Sequence, residues 1–237
     1  MKYIFADFKC FVDEKFDLIG LEAKDYIGSF DCADFSLSVS EEDLKYEQAQ
    51  TEAKFSNPYL EYIALLRKIG ELLPERDAFV LHSACFDVEG TGVAFAAKSG
   101  TGKTTHLNRW KDFLGDKMTT INGDKPIIRF FEDNPSPIAY GTPWCGKEKL
   151  GCNGKTPLKH ICFIERCEKN YVESIDKSNA VNRIFNQVYM PRFNPIATAK
   201  TIELIDRLLS SVKLWVIHCN MDADAGKTAY KHIFDTY

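Results

Sequence analysis

A chain of 237 residues, 45% hydrophobic and 13% aromatic, is long enough to fill one large domain or a domain with a smaller appendage. Its net charge of −4 and its lack of any run of five basic residues argue against a nucleic-acid partner. No apolar stretch approaches the roughly eighteen residues of a membrane span, and the opening Met1-Lys2-Tyr3-Ile4-Phe5-Ala6-Asp7 has no signal-peptide layout. A cytoplasmic location is therefore expected, with no membrane partner and with the eight cysteines reduced.

In chain order, Tyr3–Val12 and Phe35–Val39 are expected as strands separated by acidic turns. Asn57-Pro58 opens a helix, with asparagine as cap and proline at the first helical position. It runs from Tyr59 to Leu73 with Leu60, Ile63, Leu66 and Ile69 on one face. Residues 1–76 hold no catalytic constellation and are expected to form a structural or substrate-shaping lobe. Residues 77–237 are expected to form a second domain that carries the chemistry. There Phe79–Phe86 is a predicted strand, Glu89–Gly92 a tight turn and Val93–Ala97 a second strand, together a β-hairpin. A helix from Lys103 to Phe113 follows, then strands Met118–Ile121 and Pro126–Phe131 about the turn Asn122-Gly123-Asp124. Next come a strand Pro137–Tyr140, a loop Gly141–Gly154 rich in glycine and lysine, and a strand His160–Glu165. The rest is mostly helical: Ser178 caps a helix to Tyr189, Asn194-Pro195 opens one to about Val212, and Asp222–Phe234 is the last, after a strand Lys213–Cys219.

The chemistry centres on Ala97-Lys98-Ser99-Gly100-Thr101-Gly102-Lys103-Thr104, which has the layout of a phosphate-cradling P-loop. A strand delivers it, small residues let backbone N–H groups wrap an anion, and a helix N-terminus adds partial positive charge. The predicted nucleotide ligands are Lys98, Ser99, Gly100, Thr101, Gly102, Lys103, Thr104 and Thr105. Lys103 would reach the β/γ-phosphates of ATP, and the Thr104 hydroxyl would hold Mg2+. Ala97 stands where the strict pattern has its first glycine, which is tolerable provided that position needs no positive φ. A hairpin directly before the loop points to a mixed or antiparallel sheet, unlike the parallel sheet of doubly wound nucleotide folds.

Asp124 is a candidate general base or magnesium ligand, and also a natural turn residue after Asn122-Gly123. His82 is either a satisfied core histidine or a group that orients phosphate. Trp144, Lys147 and Glu148 lie in a loop too rich in glycine and charge to be core; they bind substrate, close over the nucleotide, or are merely solvated. Arg192, bracketed by Pro191 and Pro195, could clamp a phosphate with its guanidinium fork. His106 and His160 are read as structural.

The ordered set His82, Gly90-Thr91-Gly92, Gly100–Thr105 and Asp124 resembles the catalytic domain of HPr kinase/phosphorylase, a family with P-loop kinship to phosphoenolpyruvate carboxykinases. The resemblance spans roughly 79–235. It implies an α/β (α+β) fold: a mixed, largely antiparallel sheet, the P-loop fed by a β-hairpin, and helices packed around it. It further implies an ATP- and magnesium-dependent kinase in residues 77–237, with Asp124, Lys103 and His82 as catalytic residues and Thr104 and Asp124 on the metal. The acceptor it implies is a hydroxyl, most plausibly serine or threonine of a peptide or protein, and it allows a homo-oligomer. The chain departs from the family at Gly123-Asp124, where two adjacent aspartates are common, and at Tyr140–Glu148, which replaces the glycine-rich stretch that contacts HPr. These departures point to a divergent member with another acceptor. A small-molecule kinase and a non-catalytic nucleotide-binding regulator remain alternatives.

Overall fold

The computed structural model describes residues 1–235 except Ser99, Met221 and Ala223. The first expected strand is a hairpin, β1 (Lys2–Phe5) and β2 (Phe8–Asp13), turned at Ala6 and Asp7 with φ of 52° and 62°. A short helix α1 (Leu18–Glu22) precedes β3 (Phe35–Ser38), which lies parallel to β2. Helix α2 (Glu41–Ala49) is announced by no apolar period; its signal is a capping box in which Ser40 and Asp43 exchange bonds. In α3 (Asn57–Leu72) the cap position belongs to Ser56, one residue earlier than expected, so Asn57 is already helical. Leu60, Ala64, Leu65 and Ile69 of α3 pack with Tyr3, Phe5 and Val12 in a core that continues into Val80, Ile127, Tyr140 and Trp144.

The predicted strand Phe79–Phe86 is divided. β4 (Ala78–Val80) ends, Leu81–Ser83 leave the strand path, and β5 (Ala84–Val88) begins with different partners. At the break the backbone donates to three separate carbonyls: Leu81 N–H to Pro126 (3.0 Å), His82 N–H to Gln187 (2.7 Å) and Ser83 N–H to Asp124 (3.0 Å). β5 and β6 (Thr91–Ala96) form the expected hairpin, joined by Glu89 and Gly90, both at positive φ as a two-residue turn requires. α4 (Lys103–Leu114) leads to β7 (Met118–Asn122), β8 (Ile127–Arg129) and β9 (Ile138–Tyr140). β10 (Lys155–Arg166) and an unanticipated β11 (Tyr171–Ser174) come next. α5 (Lys177–Phe185) is capped by Asp176, whose carboxylate accepts from Asn179 N–H, and not by Ser178. α6 (Pro195–Ser211) is capped by Asn194 as expected, β12 (Lys213–Cys219) matches the predicted strand, and α7 (Ala225–Phe234) starts three residues late.

Among the described residues the strands form a three-stranded sheet, β1-β2-β3, and a nine-stranded sheet. In the larger one β10 pairs in parallel with β6 and with β12, and every other pairing is antiparallel. The sheet is therefore mixed and largely antiparallel. Its centre is buried on both faces, so β6 and β10 are apolar where residues 94–96 pair with residues 161–163. Val93, Phe95, Cys162 and Ile164 meet α4 and α7. Ala94, Ala96, Ile161 and Phe163 meet α5 and α6. Cys85, Cys162 and Cys219 are buried free thiols in strands, as expected. Among the described residues no helix is long and apolar enough to cross a membrane.

Two buried indoles each donate to a buried histidine: Trp110 Nε1 to His106 Nε2 at 3.2 Å and Trp215 Nε1 to His160 Nδ1 at 3.0 Å. Each bond needs a neutral ring whose accepting nitrogen carries no proton. Burial lowers both histidines to about 4, with the nearby Lys213 and Lys159 charges adding to the effect at His160. An unfolded histidine titrates near about 6.5, so between these values the unfolded chain binds more protons and stability falls as pH falls. Denaturant unfolding at about pH 7 and about pH 4 should differ by up to about 3 kcal/mol per ring. In His106→Gln, which keeps an acceptor but does not titrate, that difference should be roughly halved.

Candidate functional site

The glycine loop leaves the buried end of β6 and returns as α4. Gly100 and Gly102 take φ of 77° and 118°, and Gly102 occupies the cap position of α4. Both conformations would strain a residue with a Cβ, which accounts for these two glycines. Ala97 does not take a positive φ, so the missing first glycine costs the loop nothing in conformation. The first amides of α4 have no partner within the helix and face the loop. Ser99, predicted to bind nucleotide, lies outside the described residues. Lys103 is 9% exposed and folds back, its Nζ donating to the Ala97 carbonyl at 2.6 Å. Burial pushes its ammonium pKa down; Asp124 opposes that shift and Lys125 adds to it.

The break between β4 and β5 brings His82 to this lysine. His82 Nε2 lies 3.3 Å from Lys103 Nζ and 3.1 Å from Asp124 Oδ1. One nitrogen cannot donate to the carboxylate and accept from the ammonium at once, so the proton on Nε2 decides which neighbour His82 binds. Asp124 is held by Asn122, whose side-chain oxygen accepts from the Asp124 and Lys125 amides at 2.8 and 2.7 Å. The Asn122 amide donates in turn to Thr142 Oγ1 at 2.9 Å. Asn122-Gly123 thus makes an Asx turn. It does not close a hairpin, because β7 pairs with β5 whereas β8 pairs with β4 and β9. Burial pushes the Asp124 pKa up, but the His82 hydrogen bond and the Lys125 ammonium, 3.1 Å from Oδ2, outweigh it and hold the carboxyl below its ordinary value.

A cavity of about 450 Å³ lies over these groups. Of the predicted residues it gathers His82, Gly100, Gly102, Lys103, Thr104, Thr105, Asp124, Lys147 and Glu148. Two predicted substrate residues are elsewhere. Trp144 is 2% exposed and packs against Phe5 and Tyr62, with Nε1 donating to the Tyr62 carbonyl at 2.8 Å; it is core. The glycine and charge around it misled because Trp144 faces away from solvent while Lys147 and Glu148 do not. Arg192 is exposed beside Glu71, which accepts its backbone N–H, and it does not line the cavity. Lys98 and Thr101 line a neighbouring cavity on the α5 side of the loop. Lys125 is not among the predicted residues. Lys125 merely follows Asp124 in sequence, and nothing in the pattern of charges marks it. The Cys145 thiol lines the cavity, its pKa raised by burial.

The loop Gly141–Gly154 also explains the single carboxylate. A Cβ on Gly123 would lie 3.0 Å from the Cys145 carbonyl oxygen and 3.1 Å from that of Leu150, and Gly123 N–H donates to the latter at 2.7 Å. Gly146, at φ 84°, would bring a Cβ within 3.0 Å of the Asp124 Cβ. The chain packs too closely here for a second aspartate.

No protein-family model and no curated protein matches the chain. Among solved structures it is similar to the HPr(Ser) kinase/phosphatase from Coxiella burnetii. That likeness has 9% identity and a TM-score of 0.37, covering 66% of this chain and 91% of that one. The relation is distant, and the chemistry of the site rests on its own residues.

Gly123→Asp should lower stability by about 1–3 kcal/mol, as overpacking against backbone does. Denaturant midpoints against the parent protein measure it, and the added carboxylate should not raise any activity.

Proposed function

We propose that the chain is an ATP- and magnesium-dependent phosphotransferase acting on a hydroxyl, that of serine or threonine in a peptide or protein. The observation that carries it is the line Lys103 Nζ, His82 Nε2, Asp124 Oδ1, with separations of 3.3 and 3.1 Å, at the mouth of the glycine loop. Phosphoryl transfer needs positioning and charge neutralisation more than covalent help. The α4 amides and Lys103 supply both for the β- and γ-phosphates. Asp124, kept ionised by His82 and Lys125, accepts the proton as the acceptor oxygen bonds to the γ-phosphorus and the bond to the β–γ bridging oxygen breaks. His82 orients that carboxylate and stands next to Lys103, so it couples the base to the phosphate clamp.

The donor set suits Mg2+: the Thr104 hydroxyl and the Asp124 carboxylate line one cavity, both are hard oxygens, and magnesium takes few protein ligands beside water and phosphate. Bound there, the ion would neutralise charge on the transferring phosphates. Lys147 and Glu148, at the cavity rim, would meet the acceptor.

A nucleotide-binding regulator is the second reading, favoured by the lone carboxylate and its existing pairing with Lys125. Incubation of the pure protein with ATP, Mg2+ and hydroxyl-bearing peptides separates the two, since only the kinase yields a phosphopeptide. Lys103→Ala should lose about 3 kcal/mol or more of transition-state stabilisation. Asp124→Asn should bind an ATP analogue within about threefold of the parent while turnover falls about 10²–10⁴-fold; unchanged turnover would remove Asp124 from the mechanism.

A further inference from the structure

The phosphate loop has a second cavity on its other side. About 400 Å³ in volume, it shares Gly102 and Thr105 with the catalytic cavity and opens where β10 and β12 end and α7 begins. Its lining includes Ile164, Cys219 and Ala225, at 5%, 8% and 2% exposure, the buried His106, and Arg109, Arg166, Cys167 and Asn220. Resting on the phosphate-loop reading of residues 97–104, we propose that this cavity seats the nucleoside of the nucleotide, with the base between the carboxyl end of β10 and the start of α7, and that the Asp124 side is left to the acceptor.

Three observations support that assignment. The cavity lies outside the carboxyl ends of adjacent parallel strands, where open α/β sheets take their ligands. Arg166 ties it to the phosphate loop, its Nη2 donating to the Gly100 carbonyl at 2.7 Å, so the rim and the loop are joined. Ile164, Cys219 and Ala225 give it apolar area for the face of an aromatic base, and Thr105, His106, Arg109 and Asn220 supply polar groups for the base edge and the ribose. The cavity on the α5 side of the loop is the rival. It is lined by the Arg183–Glu165 ion pair and by Asn182, Asn186 and Gln187, and covering such groups with a base would strip their hydration without replacing it. The catalytic cavity holds charged side chains around His82, and a base placed there would displace the acceptor.

Titration calorimetry of the full chain with a non-hydrolysable ATP analogue and with inorganic tripolyphosphate tests this, because tripolyphosphate reports the loop alone. The analogue should bind at least about tenfold tighter than tripolyphosphate. Cys167→Trp, which places a large ring in the cavity from its rim, should cut analogue affinity at least about tenfold and leave tripolyphosphate within about threefold. Equal affinities in the parent protein, or a smaller or opposite change in the variant, overturn the nucleoside site and leave the phosphate loop standing. Binding of neither compound by the parent protein overturns both. Should Cys167→Trp lose tripolyphosphate as well, alkylation of Cys167 in the parent protein decides, followed by peptide mass. Protection by the analogue but not by tripolyphosphate supports the site, and equal rates overturn it.

Discussion

Three backbone hydrogen bonds at Leu81–Ser83 hold the site together. An apolar run of this composition would ordinarily continue as one strand, with His82 buried in the sheet. Instead the Leu81, His82 and Ser83 amides are claimed by Pro126, Gln187 and Asp124. The chain steps out of one ladder and into another, and the side chain at the step is His82. The third bond matters most, because Ser83 takes the carbonyl of the residue whose carboxylate His82 meets. Backbone and side chain of Asp124 are thus both met by consecutive residues, His82 at the carboxylate and Ser83 at the carbonyl.

The N-terminal residues act on the site through the loop that covers it. Tyr62 Oη donates to the Pro143 carbonyl at 2.7 Å, Trp144 Nε1 to the Tyr62 carbonyl, and Tyr26 Oη to the Cys152 carbonyl at 3.1 Å. Lys149 pairs with Glu22 at 2.6 Å. Buried aromatic anchors on both sides of residues 145–150 leave Lys147 and Glu148 to project from a segment whose ends are fixed. The N-terminal residues thus fix the path of a loop that lines the cavity without lining it themselves.

What was legible in the sequence was local. Gly100 and Gly102, the turn before Thr91, the Asn194 cap and the apolar run Lys213–Cys219 announce themselves because neighbouring residues dictate the conformation. What was hidden depends on distant partners. The break at His82 needs Pro126, Gln187 and Asp124; the burial of Trp144 needs Phe5 and Tyr62; and α2, nearly all polar, is marked only by its cap. Asn122-Gly123 carried the sequence of a hairpin turn, yet Asn122 spends its side chain on the amides of Asp124 and Lys125 and on Thr142, and the flanking strands go to different partners. Of the candidate site, the phosphate loop and Asp124 were readable as types of residue, whereas Lys125 and the loop backbone over Gly123 were not.

The electrostatics give the lone carboxylate its meaning. Lys103, Lys125 and Asp124 alone sum to one positive charge in a half-buried cleft, an imbalance that an anion would correct. Lys103 is held below its usual pKa by burial and turned toward a neutral carbonyl, so it lacks a full counter-charge until an anion arrives. A second aspartate at position 123 would cancel that excess as well as collide with Leu150. The close packing of residues 145–150 on Gly123 therefore fixes two properties together: the cleft keeps its excess of positive charge, and the turn Asn122-Gly123-Asp124 carries a single carboxylate. The two oxygens of Asp124 have separate partners, Oδ1 facing His82 and Oδ2 facing Lys125, so the carboxylate can exchange its partner at Oδ2 and keep its histidine at Oδ1.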